Sequence, residues 1–256
     1  MFSINDDGPI RWLTIDNVAR RNAIPSAEWT GLGTCLREFG ASGQRALIII
    51  GAGEDFCSGN DLGAGLDLGS GPMGVYAAMQ RVAEAARALH ESAKPTVAAV
   101  DGVAVGAGLN LALGCDVAIA TTRARFSEIF VRRGLTVDFG GTWLLPRHIG
   151  LARAKELALT GRMVSAEEAL RYGLVAEVVE PGQLRGRAAA VAAELAAAAP
   201  RAQQFAKVGL ERAFEMSFDE ALEYESQAQA LCSASEDVVE GVRAFLEKRP
   251  PGFKGR

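Results

Sequence analysis

Residues Val103 to Asp116 read VAVGAGLNLALGCD. Behind the apolar segment Thr96–Val100, the stretch runs apolar, breaks at a turn of small residues and resumes apolar with one amide, Asn110, inside it. A glycine turn that opens a helix leaves backbone N–H groups without intrahelical partners, and the helix dipole there favours negative charge. The stretch therefore predicts a buried strand, a turn and a helix, with donors that can face a ligand oxygen.

A second segment, residues 47–61 (LIIIGAGEDFCSGND), has the same order of apolar strand, small-residue turn and helix start. Two N–H groups that converge on one oxygen would form an oxyanion hole, which stabilises negative charge that develops on that oxygen during a reaction. Two other interpretations stay open at this point, one structural and one functional. Both segments could be tight packing turns, or Gly106 and Gly108 could begin a dinucleotide-binding turn, although Leu111 stands at its third glycine position.

The bulk composition is that of an ordinary globular protein. The chain has 256 residues, of which 49% are hydrophobic and 23% charged, with a net charge of −4. This length suits one large domain, or one domain with a helical extension. Basic residues form no run, so a nucleic-acid surface is not expected.

The same sequence argues against a signal peptide or a membrane span and for a cytoplasmic protein. The first residues lack a charged segment followed by an apolar one. The longest apolar stretch, residues 96–120, contains Asp101, Asn110 and Asp116, which would be costly in a bilayer. The four cysteines are scattered, which favours a reducing compartment, and no cluster has the spacing of metal ligands, so no metal is expected.

Hydrophobic patterns predict an α/β core followed by helices. Ser26 and Ser165 are predicted helix caps, and the glycine-rich segment 63–74 is predicted to be a mobile loop near a ligand. The predicted strands cover residues 10–16, 46–50, 96–100 and 117–120, and the predicted helices cover 75–92, 151–160, 165–172, 183–199, 201–216, 218–233 and 238–248.

Several motifs occur in register along essentially the whole chain: DFCSGNDL (55–62), KPTVAAVDGVAVGAG (94–108), GGTWLLPR (140–147), GR (161–162), SAEEA (165–169) and GLV (173–175). In this combination the chain resembles the crotonase superfamily, the enoyl-CoA hydratase/isomerase family. The resemblance implies an α/β spiral of β-β-α units over residues 1–198. It also implies that the helices of residues 199–256 form a homotrimer or a dimer of trimers. The substrate would be an acyl-CoA thioester, with coenzyme A as part of the substrate and no prosthetic group.

The resemblance also assigns site residues. The oxyanion N–H groups would come from Asn60 and Ala107. The adenine pocket of coenzyme A would lie near Ser58 and Asp61. Arg21 matches a position where the family often has a basic residue near the coenzyme A phosphates.

The chain departs from the hydratases of this family at both catalytic glutamates. The first glutamate follows the glycine turn, where this chain has Asn110, and the second lies twenty residues later, where it has Phe130. Neither an amide nor a phenyl ring can act as a general base. A two-glutamate hydration is therefore not expected.

Asp138, eight residues beyond Phe130, is the predicted acid/base. Taken alone, it could simply cap a helix that begins near Gly140. The resemblance favours catalysis, because some isomerases of the superfamily and the 4-chlorobenzoyl-CoA dehalogenases have an aspartate here. The run of residues 138–147 and the ending 240–249 look most like the 1,2-epoxyphenylacetyl-CoA isomerases. Apolar neighbours such as Val137 and Phe139 are expected to raise the pKa of Asp138.

The sequence thus predicts an enoyl-CoA isomerase in which Asn110 lines the pocket or holds a water. Phe130, Gly106 and Glu128 are further pocket candidates, although Glu128 is more simply interpreted as a surface acid. A hydratase in which Asn110 holds the water with Asp138 or Glu128 is the first alternative. A binding protein for CoA thioesters without chemistry is the second.

Overall fold

The computed structural model describes residues 1–64 and 71–256. The strands are β1 (Phe2–Asp7), β2 (Ile10–Ile15), β3 (Ala46–Gly51), β4 (Thr96–Val100), β5 (Val103–Val105), β6 (Val117–Thr121), β7 (Arg125–Ser127), β8 (Val164–Ser165) and β9 (Glu177–Val179). Six strands form one sheet in the order β1-β2-β3-β4-β6-β9, in which β1 and β2 are antiparallel and the other neighbours parallel. A smaller sheet has the order β5-β7-β8.

The helices enclose the sheets and then continue alone to the end of the chain. They are α1 (Trp29–Ala41), α2 (Gly71–His90), α3 (Ala107–Leu113), α4 (Gly141–Ile149), α5 (Leu151–Thr160), α6 (Ala166–Tyr172), α7 (Leu184–Ala197), α8 (Pro200–Glu211), α9 (Phe218–Ser233) and α10 (Glu236–Glu247). Short 3-10 turns occur at Val18–Arg20, Ser26–Glu28, Leu62–Ala64, Ile129–Arg133 and Pro181–Gln183.

Strands β3 and β4 run through the centre of the molecule. All five residues of β4 are buried, as are the first five of β3. Such continuous apolar strands are typical of a parallel sheet that is covered on both faces. One face packs against α1 and α2 through residues that include Trp29 and Phe39, and the other packs against alanines of α7. This is the predicted α/β core followed by helices.

Much of the predicted secondary structure is confirmed. Helices α5 and α9 have the predicted bounds, and the four predicted strands are present. The Ser165 hydroxyl caps α6 and accepts a hydrogen bond from the Glu168 N–H at 3.2 Å. The Glu168 carboxylate itself pairs with Arg162 at 2.7 Å.

Other predictions were wrong. Ser26 does not cap a helix: it begins a 3-10 turn, and its hydroxyl accepts a hydrogen bond from Arg81 at 3.2 Å. Strand β1 was not predicted, because five of its six residues are exposed and its second half, Asn5 to Asp7, is entirely polar. Helix α2 includes residues 71–74 of the predicted mobile loop, and residues 65–70 lie outside the described residues. Within the described residues, no helix is long and apolar enough to cross a membrane.

Candidate active site

The two predicted strand-turn-helix segments meet in the fold. The second does open an α-helix, α3, whereas the helix start predicted at Asp61 is wrong, because a 3-10 turn, Leu62–Ala64, follows the first. The Cys57 N–H donates to the Val103 carbonyl at 2.9 Å, and the Val105 N–H donates to the Cys57 carbonyl at 3.0 Å. These bonds join the end of the first segment to β5 of the second. Gly59 then lies against the start of α3, since a Cβ atom built on it would be 3.3 Å from the nitrogen of Ala107.

Two backbone N–H groups remain available where the segments meet. The Ile24 N–H donates to the Gly59 carbonyl at 2.8 Å, and the Asp61 N–H donates to the Ile24 carbonyl at 2.9 Å. Ile24 and Asn60 thus form a parallel bridge in which the residues on either side of Asn60 make both hydrogen bonds. The N–H of Asn60 itself therefore points away from Ile24. Ala107 is the first residue of α3, so its N–H has no intrahelical acceptor. Neither group donates a hydrogen bond to another residue that the structure describes. Both residues line one cavity.

Backbone geometry accounts for the glycines of the second turn. Gly106 has φ 57° and ψ −129°, a conformation that a residue with a Cβ atom rarely adopts. A Cβ atom on Gly108 would overlap the carbonyl of Cys57. The turn is therefore both a close packing point and the support of a free N–H group.

The cavity beneath the two N–H groups has a volume of about 420 Å³. Its polar contributors include Asp138, Arg133 and Thr136. An apolar cavity with a few convergent polar groups is typical of a small-molecule site. Its apolar lining residues are Leu62, Val75, Ala78, Met79, Val82, Ile129, Phe130, Leu135 and Val137.

Asp138 lies in the cavity wall with one carboxylate oxygen, Oδ1, buried and without a hydrogen-bond partner among the described residues. Burial raises the pKa of this carboxyl to about 7. The residue does not cap α4, so the capping interpretation is wrong. Gly140 holds the cap position without any side-chain bond, and the Gly141 N–H donates to the main-chain carbonyl of Asp138 at 2.9 Å.

Asn110 is fully buried behind this wall. Its Nδ2 group donates to the Asp138 carbonyl at 2.9 Å and to Oε2 of Glu128 at 3.4 Å. Among the described residues, Asn110 is absent from the cavity lining, where the sequence predicted it. The amide therefore fixes the backbone that carries Asp138.

Glu128 is a second buried acid, and its interpretation as a surface residue was wrong. Its side chain is 0% exposed, and Oε1 has no hydrogen-bond partner in the described part of the chain. Burial raises the pKa of Glu128 to about 8; the Asn110 hydrogen bond opposes this shift, and the charge of Asp138 adds to it. The buried neighbours Phe126 and Phe130 were the signal in the sequence. Like Asn110, Glu128 lies outside the set of described residues that line the cavity.

The other predicted pocket residues, Phe130 and Gly106, do line the cavity. A Cβ atom on Gly106 would lie 3.5 Å from Cζ of Phe130, so the ring covers the second turn. Phe130 thus closes the cavity with an apolar surface at the position where the resemblance placed a glutamate.

The predicted coenzyme A residues lie next to the first turn. The Ser58 N–H donates to the Arg21 carbonyl at 3.0 Å, and Ser58 lines the cavity. The Arg21 side chain is 69% exposed, with Nε 3.9 Å from Oδ2 of Asp55. Oδ1 of Asp61 accepts a hydrogen bond from the Gly63 N–H at 2.9 Å. An exposed guanidinium beside the cavity can bind phosphate.

The Cys57 thiol, which precedes the first turn of the site, is unsuited to nucleophilic chemistry. Cys57 is fully buried, and burial raises the pKa of its thiol to about 12, so it stays protonated.

Known proteins are similar to this chain over nearly its whole length. Residues 7–256 match the family model described as Enoyl-CoA hydratase/isomerase. The chain is 38% identical to the 1,2-epoxyphenylacetyl-CoA isomerase of Escherichia coli over 95% of its length and 94% of that protein. It is 34% identical to the short-chain-enoyl-CoA hydratase of Clostridium acetobutylicum over 99% and 97% of the two chains. The crystal structure of an enoyl-CoA hydratase from Bacillus anthracis superimposes with a TM-score of 0.94 at 32% identity, covering 100% of this chain and 99% of that one.

Proposed function

Because this chain belongs to the enoyl-CoA hydratase/isomerase family, we propose that it is an acyl-CoA isomerase that shifts a proton and a double bond next to a thioester carbonyl. One observation carries the proposal. Among the described residues, one carboxylate, that of Asp138, lines the cavity that also contains the free N–H groups of Asn60 and Ala107. The same cavity wall has a phenyl ring, Phe130, where a two-glutamate hydratase has its second acid.

The proposed reaction needs only these groups. The N–H groups of Asn60 and Ala107 donate to the thioester oxygen. Asp138 takes a proton from one carbon, and the electron pair left behind is delocalised onto that oxygen as an enolate. The same carboxyl returns the proton to a different carbon, so the double bond moves and no atom is gained or lost. A carboxyl with a pKa of about 7 can do both steps at neutral pH.

Substrate recognition follows from the same arrangement. We propose that Arg21, Ser58 and Asp61 bind the coenzyme A part, while the apolar walls of the cavity bind the acyl chain. The relative named 1,2-epoxyphenylacetyl-CoA isomerase supports an isomerase. The alternative of a CoA-thioester binding protein without chemistry would show tight binding and no proton exchange.

A deuterium experiment tests the proposal. The protein is incubated in D₂O with a panel of enoyl-CoA thioesters, and both deuterium incorporation and double-bond position are followed by mass spectrometry and NMR. We expect incorporation together with a shifted double bond, and loss of both in Asp138→Asn. Retention of full isomerisation by a folded Asp138→Asn protein would overturn the assignment.

A hydratase is the second candidate, favoured by the relatives named as hydratases and by the second buried acid, Glu128. In this case Asn110 and one of the two acids, Asp138 or Glu128, would hold the attacking water. Incubation with crotonyl-CoA separates the candidates. Hydration removes the absorbance of the conjugated thioester and yields a 3-hydroxyacyl-CoA.

We also propose a homotrimer, either alone or as a dimer of trimers, assembled through residues 199–256 in the cytoplasm. The helices of this region expose large apolar side chains, including Phe218 at 77%, Phe245 at 82% and Leu246 at 74%. Apolar patches of this kind mark protein interfaces. The four free cysteines are compatible with a reducing compartment. Light scattering after size-exclusion chromatography gives the assembly state, and a monomer at micromolar concentration would contradict the trimer.

A further inference from the structure

Trp29, which belongs to none of the sequence motifs, contacts both halves of the candidate site. It is the first residue of α1 and is 0% exposed. Its indole Nε1–H donates to the side-chain oxygen Oδ1 of Asn60 at 2.9 Å. A buried indole N–H needs an acceptor, so this bond fixes the relative position of the two side chains.

On the Asn60 side, the bond adds a third restraint to a residue already held by its neighbours. The backbone bonds of Ile24 to Gly59 and Asp61 fix the chain on either side of residue 60. The Asn60 side chain is anchored by Trp29, while its backbone N–H remains free. A hydrogen-bond donor that must meet a developing oxyanion is effective only when its direction is set before the reaction.

On the other side, the indole packs against the residue that follows the proposed base. The ring centroids of Trp29 and Phe139 are 5.5 Å apart, with their planes at 46°. Phe139 is buried and has φ 50°, a left-handed conformation that an aromatic residue adopts only when its surroundings enforce it. Packing against Trp29 is one such restraint, and it acts one residue away from Asp138.

We propose that Trp29 is a positioning residue for both halves of the site. Its N–H orients Asn60 and hence one oxyanion donor, and its ring holds Phe139 and hence the backbone of Asp138. This inference rests on the proposed oxyanion chemistry, but it assigns a role to a side chain that touches neither the substrate nor the reacting atoms.

Trp29→Phe separates the two contacts, because it keeps an aromatic ring and removes the N–H. We expect kcat to fall about tenfold while KM for an enoyl-CoA substrate changes less than about twofold. Trp29→Leu also removes the ring and should lose more activity than Trp29→Phe. Trp12→Phe is a matched control, because Trp12 is a buried indole of β2 that packs beneath Arg185, outside the cavity.

A second variant, Asn60→Ala, removes the acceptor of the same bond and leaves the indole in the core. We expect it to lower kcat as Trp29→Phe does, and the double variant to lose little more than either single variant. If instead the loss of kcat in the double variant equals the product of the two single losses, the bond has no positioning role. Circular dichroism and thermal melts identify any variant that fails to fold.

The ultraviolet spectrum of bound hexadienoyl-CoA provides a readout that does not require turnover, because polarisation of the thioester carbonyl shifts its absorbance to longer wavelength. We expect a red shift with the wild type and with Trp12→Phe, and a smaller shift with Trp29→Phe and Asn60→Ala. A full shift in both of the latter variants overturns the inference, as does a wild-type complex without any shift. If the wild type shows the shift but no turnover, the isomerase proposal fails and the role of Trp29 is still decided by the spectra.

Discussion

Glu128 and Asp138 are two buried acids in one corner of the molecule, and they differ in what they can reach. Both have a raised pKa, to about 8 and about 7, and the same Asn110 amide bonds to the carboxylate of Glu128 and to the main-chain carbonyl of Asp138. Only Asp138 lines the cavity, while Glu128 lies behind the wall. Burial thus raises the pKa of both carboxyls, but only a carboxyl that reaches the substrate can move one of its protons.

We expect the largest effect on activity from substitution of Asp138, and the matched substitution of Glu128 gives the comparison. Asp138→Asn should lower the rate of enoyl-CoA isomerisation by about 10³-fold, because an amide cannot accept the proton. Glu128→Gln is nearly isosteric with the protonated acid and should cost less than about tenfold. Single-turnover rates with a substrate found in the deuterium screen measure both. If Glu128→Gln loses as much activity as Asp138→Asn, both acids take part in the reaction and the hydratase is favoured.

The pH dependence of activity tests which acid titrates in the reaction. Asp138 must be deprotonated to start the reaction, so kcat/KM should rise about tenfold per pH unit below pH 7 and level off above it. The profile of Glu128→Gln should keep a midpoint near pH 7. A midpoint that disappears in Glu128→Gln would identify Glu128 as the titrating group.

The pH dependence of stability tests whether the fold raises the pKa of Glu128. In the unfolded chain this acid ionises near its ordinary pKa of 4.5, whereas the folded protein keeps it protonated up to about pH 8. Between these values the folded state binds more protons, so the free energy of unfolding falls as pH rises through this window.

Glu128→Gln cannot ionise, so its free energy of unfolding relative to the wild type should increase between pH 5 and 8 by about 3 kcal/mol. Urea unfolding at several pH values measures the difference. A gap that stays constant with pH would show that Glu128 ionises normally in the fold.

The smallest effect concerns the amide between the two acids. A Cβ atom on Gly141 would overlap the carboxamide of Asn110. Gly141→Ala should therefore displace the Asn110 bond to the Asp138 carbonyl and lower kcat by about tenfold. Gly186→Ala in α7 is the control, because nothing lies within 4 Å of its Cβ position. Equal activity of the two variants would show that Asn110 does not hold Asp138.

The strands and turns of the two site-forming segments could be predicted from sequence because their signals are local. Apolar runs such as residues 46–50 and 96–100 predict strands directly, and a turn between glycines predicts exposed N–H groups. The resemblance then placed Asn60, Ala107 and Asp138 in one site. In the structure all three line the same cavity.

The rest of the site depends on contacts between distant residues. The neighbours Phe126 and Phe130 are the one local sign that Glu128 is buried, and the burial itself comes from segments packed around it. The hydrogen bond from Trp29 to Asn60 joins residues 31 positions apart, and no local pattern in the sequence indicates it. Asn110 was placed in the pocket because its position in the chain matches a catalytic one, but its side chain bonds to groups 18 and 28 residues away.

The two free N–H groups of the site have a consequence for how such a protein can change over generations. A main-chain donor belongs to the fold, so replacing the side chain of residue 60 or 107 leaves it in place, and only proline deletes it outright. An acid such as Asp138, in contrast, is gained or lost by a single codon change. In the proposed reaction, stabilisation of the oxyanion can therefore persist while the proton-moving residue is exchanged, which would give one scaffold a route to several reactions on the same class of thioester.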